Sequence, residues 1–207
     1  MKILNFIIGL FTILTFGQGS INLESSFIKW TGEKITGETH YGTLKFISGK
    51  LDFSSDKING GEFVVDMNSL SVDDLTGRGK ASLESHLVSD DFFSVDKHNT
   101  ASLVILSAKK ESNGSFRAKG NLEIKGITNE VVVIFIPASE KMTAKLIFDR
   151  SKFNVRYGSD SFFDNLGNRL ILNDVVLEDS LSSVSYTHLR AHETPEHLVI
   201  PHKHVKK

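Results

Sequence analysis

The stretch ASLESHLVSDDFFSV, residues 81–95, indicates more about the fold of this chain than any other segment. Leu83, His86 and Leu87 follow the i, i+3, i+4 spacing of one helix face. The SDD sequence at residues 89–91 should end that helix, because short polar side chains compete for backbone hydrogen bonds. The two phenylalanines that follow are large apolar side chains that should be buried. We therefore expect a short helix followed by an extended aromatic segment, with the helix covering one end of a β structure. An ordinary helix-to-strand junction would show the same periodicity.

On both sides of this segment the sequence alternates between strand and turn patterns. The NGG sequence at residues 59–61 predicts a hairpin, and the NG at residues 113–114 predicts another turn. Phe63, Val65 and Met67 share one face of a strand. Nothing offers the repeated helical crossovers that parallel strands require. We therefore predict an all-β fold of about eight antiparallel strands, a barrel or a sandwich, with one short helix.

The composition excludes several classes of site. The 207 residues include 15 Phe but no Cys, so disulfides and thiolate metal sites are absent. The formal net charge of −1 argues against a nucleic-acid or anionic-membrane surface, because both need a basic face. One domain accounts for this length, since neither internal repeats nor linkers stand out.

The first 19 residues have the pattern of a secretory signal. Lys2 is followed by a largely apolar run over residues 3–16, and residues 17–19 are small enough for processing after Gly19. The apolar run is too short for a comfortable membrane span, which needs about 20 residues. We predict a signal peptide at residues 1–19 and a periplasmic or secreted protein. An uncleaved anchor is the alternative.

The last 24 residues differ from the rest of the chain. Residues 184–207 hold five of the eight histidines and two of the three prolines. A His-rich metal tail is one interpretation. However, YTHLRAHETPEHLV at residues 186–199 resembles a peptide formed where translated sequencing-adapter reads are joined to a gene. We therefore predict a domain at residues 20–183 and a non-native, disordered tail at residues 184–207, with a closing strand missing and an unpaired edge.

No catalytic motif is present in the sequence. It contains no G-x-S-x-G elbow, no P-loop and no H-E-x-x-H. His40, His86 and His98 match no local zinc-ligand spacing. The acidic pairs at residues 73–74 and 90–91 are typical of helix caps and solvated loops. We expect no enzyme, no cofactor and no metal site.

The expected interior is rich in large apolar side chains. Composition alone favours a barrel filled by its own side chains. The alternative is an apolar cavity with a few polar groups at its mouth, because an eight-stranded barrel can just hold a ligand.

Four blocks of sequence carry a family resemblance. They are WTGEK at residues 30–34 with Gly37, His40 and Gly42; GEFVVDMNSL at residues 61–70; Leu83 with HLVSDDFF at residues 86–93; and KGNLEIKGIT at residues 119–128 followed by RSKFN at residues 150–154. In this order they resemble the YceI family, exported lipocalin-like barrels associated with binding polyisoprenoid lipids. Tyr41 departs from the family pattern, in which a second His often accompanies the one at His40, and this puts a polar role at the mouth in question.

The resemblance implies a function as well as a fold. It implies an antiparallel eight-stranded lipocalin-like barrel that holds a polyisoprenoid or similar long apolar chain; the alternative is a structural or stress-response barrel with a filled core. A polar head would lie near His40, Arg78, Lys80 or Arg150. The candidate ligand-binding residues are Trp30, Phe46, Phe63, Val65, Met67, Leu87, Phe92, Phe93, Ile105, Ile124, Val133, Phe135, Phe148 and Phe153. We expect an isoprenoid lipid or other amphiphile as the partner, no nucleic acid and no integral membrane span, and we keep a homodimer open.

Overall fold

Antiparallel strands make up most of the regular structure in the described part of the chain. The computed structural model describes residues 18–54, 57–138 and 141–182. In these residues the strands are β1 (Gln18–Ser20), β2 (Phe27–Glu33), β3 (Thr39–Ser54), β4 (Lys57–Val72), β5 (Thr100–Lys110), β6 (Phe116–Ile124), β7 (Ile127–Pro137), β8 (Lys141–Asp149) and β9 (Asp174–Ser182). One α-helix, α1 (Gly77–Val88), follows β4, and two 3₁₀ turns lie at Arg150–Phe153 and Gly167–Arg169.

Strands β2 to β9 close into an eight-stranded barrel. Each strand pairs antiparallel with the next along the chain, and β9 pairs with both β8 and β2. Strand β1 adds to one end of β3. The predicted antiparallel eight-stranded barrel with one short helix is confirmed. The expectation of a missing closing strand is wrong, because β9 ends before the suspect tail and itself supplies the closing pairs.

Strict alternation in β6 shows how the sequence forms the barrel wall. From Phe116 to Ile124 the even-numbered residues are buried throughout and the odd-numbered residues are exposed. Arg117 and Lys119 are therefore on the outer face, while Leu122 points into the core. This is the period-2 pattern of a strand with one wet and one dry face.

The two predicted turns at NG sequences have different outcomes. Residues 113–114 do turn the chain between β5 and β6, with Gly114 at φ +86°. The NGG at residues 59–61 lies inside β4, so the hairpin prediction there is wrong. Asp52 pairs with Gly60 and Phe53 with Ile58, which leaves an extra residue in β4 as a bulge.

Gly61 has a packing role beside this bulge. A Cβ atom at Gly61 would lie 2.9 Å from the Leu51 side chain and 2.9 Å from the Lys50 carbonyl oxygen. Strands β3 and β4 can therefore approach closely at this point only because residue 61 lacks a side chain.

Helix α1 ends where the sequence predicts, but the segment after it is not extended. The Ser89 hydroxyl and backbone N–H both donate to the His86 carbonyl oxygen. The chain then folds back, with the backbone N–H of Phe93 donating to the Leu87 carbonyl oxygen at 3.1 Å. The expected extended aromatic segment is thus a compact turn, because the backbone groups freed at the helix end are satisfied by the next residues.

Two predictions lie outside the described residues. These are the signal segment up to residue 17 and the tail at residues 184–207. Strand β1 does include Gln18 and Gly19, so cleavage after Gly19 would leave only Ser20 of that strand. Within the described part of the chain, no helix combines the length and apolarity needed to cross a membrane.

Candidate functional site

The barrel encloses a cavity of about 370 Å³. Strands contribute most of its wall, and α1 contributes Leu83, His86 and Leu87, the three residues predicted to share a helix face. Leu87 is buried, so this helix face covers part of the barrel interior. The helix therefore packs against the β structure as predicted, and it forms part of the boundary of the cavity.

Most of the candidate ligand-binding residues border this cavity. The structure places twelve of the fourteen in its lining: Trp30, Phe46, Phe63, Val65, Met67, Leu87, Phe92, Phe93, Ile124, Val133, Phe135 and Phe148. A role in ligand binding stays a prediction for each of them.

Ile105 and Phe153 are buried but do not line the cavity. Ile105 pairs with Gly61 on β4 and Gly120 on β6, and its side chain fills the space that those two glycines leave. Phe153 packs edge-on against Phe148, with ring centroids 5.5 Å apart. Both side chains are core residues, because they pack against neighbouring protein groups and do not border the cavity.

Several further lining residues are not among the fourteen candidates. Small and branched side chains from β5, β6, β8 and β9 complete the wall: Ala101, Leu103, Leu122, Ala144, Leu146, Val175, Leu177 and Leu181. Their alternation within each strand was the available signal. One polar residue, Asp179, belongs to the same inner face of β9.

Trp30 is held in the cavity wall by a hydrogen bond and a glycine. Its indole Nε1–H donates to the Ser71 carbonyl oxygen at 3.1 Å. A Cβ atom at Gly42 would collide with that same carbonyl and lie 2.9 Å from the Trp30 ring. Trp30 is the only tryptophan in the sequence, so its fluorescence reports on the cavity alone.

A polar rim, defined by Glu33, Lys34, Glu38 and His40, lines the cavity at the β2–β3 turn. The Glu38 side chain is 53% exposed, so this rim reaches solvent. Lys34 Nζ lies 2.7 Å from Glu38 Oε2. The hydrogen bond from Lys34 and the charge of Lys34 lower the pKa of the Glu38 carboxyl.

His40 connects the rim to a carboxylate behind it. His40 Nδ1 lies 2.7 Å from Asp74 Oδ2, and the backbone N–H of Tyr41 donates to Asp74 Oδ1 at 3.0 Å. Burial raises the pKa of Asp74, but the hydrogen bonds from His40 and Tyr41 outweigh it, so the net pKa is lowered. Lys34, Glu38 and His40 of the rim thus form a paired polar network with Asp74.

Of the four residues suggested for a polar head, only His40 and Arg150 line the cavity. Arg150 is 1% exposed rather than an exposed charge. Its guanidinium donates to the carbonyl oxygens of Leu172, Val155, Tyr157 and Ile171 at 2.9–3.1 Å. Burial lowers its pKa to about 10.

Arg78 and Lys80 belong to the start of α1 and lie outside the cavity lining. Arg78 is exposed. Lys80 Nζ lies 3.5 Å from Glu84 Oε1 and 3.9 Å from Asp73 Oδ1. Neither cation therefore borders the cavity.

An aromatic cluster of His86, Phe92, Phe93 and Tyr157 lies beside the Arg150 guanidinium. The His86 ring contacts Tyr157 edge-on, with centroids 4.3 Å apart, and Phe92 at 5.5 Å. The Arg150 guanidinium carbon lies 5.5 Å from the Phe92 ring centroid. Among the residues described, no three His, Cys, Asp or Glu side chains form a group that could hold a metal ion.

Tyr41, the departure from the family pattern, points away from the cavity. It is 39% exposed and does not line the cavity, and Lys29 Nζ lies 4.7 Å from its ring centroid. A tyrosine at this position therefore removes no polar group from the rim.

Comparison with known proteins agrees with the fold and with these motifs. A model of the YceI-like domain matches residues 20–181. The chain belongs to the YceI family. The predicted resemblance is confirmed, and the matched span covers the barrel of this YceI chain from β2 to Leu181, one residue before β9 ends.

Individual relatives show the same relationship at lower coverage. A UPF0312 protein of Ectopseudomonas mendocina is 33% identical over 93 residues, which are 45% of this chain and 47% of that protein. A UPF0312 protein of Azotobacter vinelandii is 31% identical over 93 residues, or 46% of its length. The matched part of the YceI chain thus spans about half the length of these curated relatives.

Solved structures share the fold. BcnA of Burkholderia cenocepacia superposes with a TM-score of 0.60 at 19% identity, covering 78% of this chain and 98% of BcnA. A Saccharophagus degradans domain described as polyisoprenoid binding, and implicated in plant cell wall breakdown, gives a TM-score of 0.53 at 14% identity, covering 82% and 98%. At these identities the similarity shows the YceI fold alone.

Proposed function

We propose that this chain is an exported lipid-binding protein that holds a polyisoprenoid or a similar long apolar chain inside its barrel. The observation that carries the proposal is the cavity of about 370 Å³, lined mainly by apolar side chains. Small-molecule sites of about 300–1,000 Å³ with mostly apolar walls are typical of proteins. The Saccharophagus degradans domain, described as polyisoprenoid binding, supports this choice of ligand class.

Apolar burial supplies the driving force for such binding. Each buried methylene contributes about 0.8 kcal/mol. Ten of them would contribute about 8 kcal/mol, before the loss of translational and rotational freedom is subtracted. Affinity should therefore increase with chain length until the cavity is full, and no reacting group is needed.

The alternative of a filled structural barrel is less well supported. A barrel filled by its own side chains would leave no space of this size, because protein interiors are packed like organic crystals. Membership of the YceI family and the polyisoprenoid-binding neighbour also suggest a binding protein rather than an enzyme.

Export and assembly are further parts of the proposal. The signal-like residues 1–19 support a periplasmic or secreted location and a mature protein beginning at Ser20. We keep the homodimer as the assembly to test, since an isologous pair is the commonest symmetric arrangement.

Native mass spectrometry on the full chain, produced in a bacterial host, tests these points together. We expect a protein mass that begins at Ser20, recovery from the periplasm or medium, and a co-purified apolar adduct that organic extraction identifies. The same spectra give the oligomeric state. A clean apo mass that is unchanged after incubation with isoprenoid alcohols and quinones would contradict the lipid-carrier function.

A matched pair of variants shows whether the adduct occupies the cavity. Ala101 lines the cavity, whereas Val104 is 39% exposed on the same strand, β5. Ala101→Phe adds a ring to the cavity and should abolish the adduct. Val104→Phe adds a ring outside the cavity lining and should leave the adduct unchanged. Equal loss in both variants would place the lipid elsewhere.

A further inference from the structure

Asp179 is a carboxyl group inside an otherwise apolar part of the barrel. On β9 it pairs with Ile28 of β2 on one side and with Ala144 of β8 on the other. It shares the inner face of β9 with Leu177 and Leu181, and all five residues line the cavity. The cavity wall therefore presents a carboxyl between aliphatic neighbours.

One oxygen of this carboxyl has no hydrogen-bond partner among the described residues. This oxygen, Oδ1, is buried. Burial raises the pKa of Asp179 to about 7, and the backbone of Ser180 opposes this only in part. Buried polar atoms in native proteins almost always have partners, so an exception calls for a specific explanation.

Charged groups do not face Asp179 from the strands packed against it. Its inner-face neighbours on β2 and β8 are Ile28, Trp30, Ala144 and Leu146. The charged residues of those strands and of β9, among them Lys29, Lys145 and Glu178, lie at positions that alternate with the inner face. Lys145 pairs with Glu178 at 2.9 Å.

The other titratable side chains of the cavity lining lie toward the ends of β2, β8 and β9 that are farther from Asp179. Glu33, Lys34, Glu38 and His40 belong to the polar rim, and His86, Arg150 and Tyr157 to the aromatic cluster and its guanidinium neighbour. On β2, about 17 Å of extended strand separates Glu33 from Ile28, the partner of Asp179. The Asp179 carboxyl therefore has a site of its own within the cavity.

We propose that Asp179 determines the ligand specificity of the cavity by selecting a chain whose buried part carries a hydroxyl group, hydrogen-bonded to the Asp179 carboxyl. This inference rests on the proposed function, because it requires a ligand inside the barrel. A pure hydrocarbon in the cavity would offer the Asp179 carboxyl no hydrogen-bond partner, and a buried polar group without a partner is costly. A hydroxyl can donate to the carboxylate and can accept from the carboxylic acid, so it fits both protonation states.

Other polar groups suit this position less well. A phosphate or carboxylate on the ligand would bring a second negative charge beside Asp179 in surroundings of low dielectric constant. The class of ligand selected is thus a neutral long-chain alcohol, such as a hydroxylated isoprenoid, rather than a hydrocarbon or an acid.

A comparison of two ligands and two proteins tests this selection. Farnesol and the hydrocarbon of the same carbon skeleton, both delivered from cyclodextrin, are titrated into the full chain and followed by Trp30 fluorescence. The wild type should bind farnesol at least about tenfold more tightly at pH 7, as one lost buried hydrogen-bond partner implies. Asp179→Leu should reduce that ratio to about one or invert it.

Two further variants keep the test decisive if Asp179→Leu folds poorly. Asp179→Asn keeps hydrogen-bonding capacity and should keep the preference for farnesol. Asp52→Asn removes another carboxyl with a buried, unpaired Oδ1 that lies outside the cavity lining, and should also keep it. Loss of the preference in Asp52→Asn as well as in Asp179→Leu would overturn the assignment to Asp179.

The dependence on pH gives an independent readout. Between pH 5 and 8, wild-type affinity for the hydrocarbon should fall about tenfold as Asp179 ionises, since filling the cavity with hydrocarbon disfavours the charged form. Farnesol affinity should change less, and Asp179→Asn should remove the pH dependence of the hydrocarbon affinity while keeping the preference for farnesol. Equal ligand ratios in wild type and Asp179→Leu would overturn this proposal while leaving the carrier function intact. Binding of neither ligand to wild type would overturn both.

Discussion

Two carboxyl groups associated with the same cavity have opposite surroundings. Asp74, behind the polar rim, accepts hydrogen bonds from His40 and from the backbone N–H of Tyr41, and its pKa is lowered. Asp179, in the barrel wall, has a buried oxygen with no described partner, and burial raises its pKa to about 7. Both are aspartates near one binding space, so the difference comes entirely from what the fold places around them.

This difference indicates where a ligand can gain affinity. A polar group of the ligand that reaches the rim must compete with hydrogen bonds that the protein already makes, so its net gain is small. A hydroxyl that reaches Asp179 supplies a partner that the protein does not, so its net gain is larger. We therefore expect the rim to organise the entrance and Asp179 to discriminate among ligands.

The largest expected effect is the loss of stability when Arg150 is replaced. Its guanidinium donates to four backbone carbonyl oxygens, which fixes the loops beside the rim. Arg150→Met should lower the free energy of unfolding by about 3–5 kcal/mol, because four carbonyl oxygens lose their charged donor and each unsatisfied buried group costs about 1–3 kcal/mol. Denaturant unfolding measures this change.

The control for this variant lies two residues away in the same 3₁₀ turn. Lys152 is exposed, so Lys152→Met should change the free energy of unfolding by no more than about 0.5 kcal/mol. Similar losses in both variants would show that the turn is sensitive to any substitution and that Arg150 has no special anchoring role.

The second prediction concerns the effect of pH on stability through Asp179. In the unfolded chain this carboxyl ionises near its ordinary pKa of 3.8, but in the folded protein only near 7. The folded state therefore binds more protons between these values, and stability falls as pH rises from about 4 to about 7, then stays lowered. The full loss corresponds to about 4 kcal/mol as an upper bound.

Asp179→Asn isolates this contribution from other titrating groups. From pH 4 to pH 7 the free energy of unfolding of the wild type should fall relative to that of Asp179→Asn. Above pH 7 the difference between the two should stay constant. Thermal and urea unfolding across this range measure it, with Asp52→Asn as the reference. A difference that does not vary with pH would mean that Asp179 is solvated, and the contrast with Asp74 would fail.

Some features of this fold could be predicted from local sequence patterns, and others could not. The spacing of Leu83, His86 and Leu87 is a local pattern, so a short helix packed on one end of a β structure could be predicted from it. The NGG at residues 59–61 misled, because a bulge and a turn use the same residues and only the partner strand distinguishes them.

The role of Asp179 could not be read from the sequence. An aspartate in an alternating segment is ordinarily assigned to the wet face of a strand. Only the register that pairs Asp179 with Ile28 and Ala144 places it inside. The cavity itself was equally hidden, because its volume depends on how all inner side chains pack rather than on their composition.

A third prediction tests the rim by removing His40. Its ring is already paired with Asp74, so His40→Ala should leave farnesol affinity within about threefold, as expected where no unpaired group is exposed to the ligand. Stability should fall by about 1 kcal/mol, since the Asp74 carboxylate loses one hydrogen bond. Titration by Trp30 fluorescence and urea unfolding measure the two quantities. A tenfold loss of affinity would mean that the rim, and not Asp179, discriminates among ligands.

The smallest effect is expected from restoring the family's second histidine with Tyr41→His. Tyr41 lies on the outer face beneath Lys29, so the substitution removes an exposed cation–π contact of about 0.5–1 kcal/mol and adds nothing to the cavity. Farnesol affinity should stay within twofold of wild type, as Trp30 fluorescence would show. The ratio of farnesol to hydrocarbon affinity should also be unchanged, because neither the Asp74 pair nor Asp179 is altered. A gain in affinity would mean that the side chain of residue 41 can reach the ligand, and that the rim is less fully paired than the contacts of Asp74 indicate.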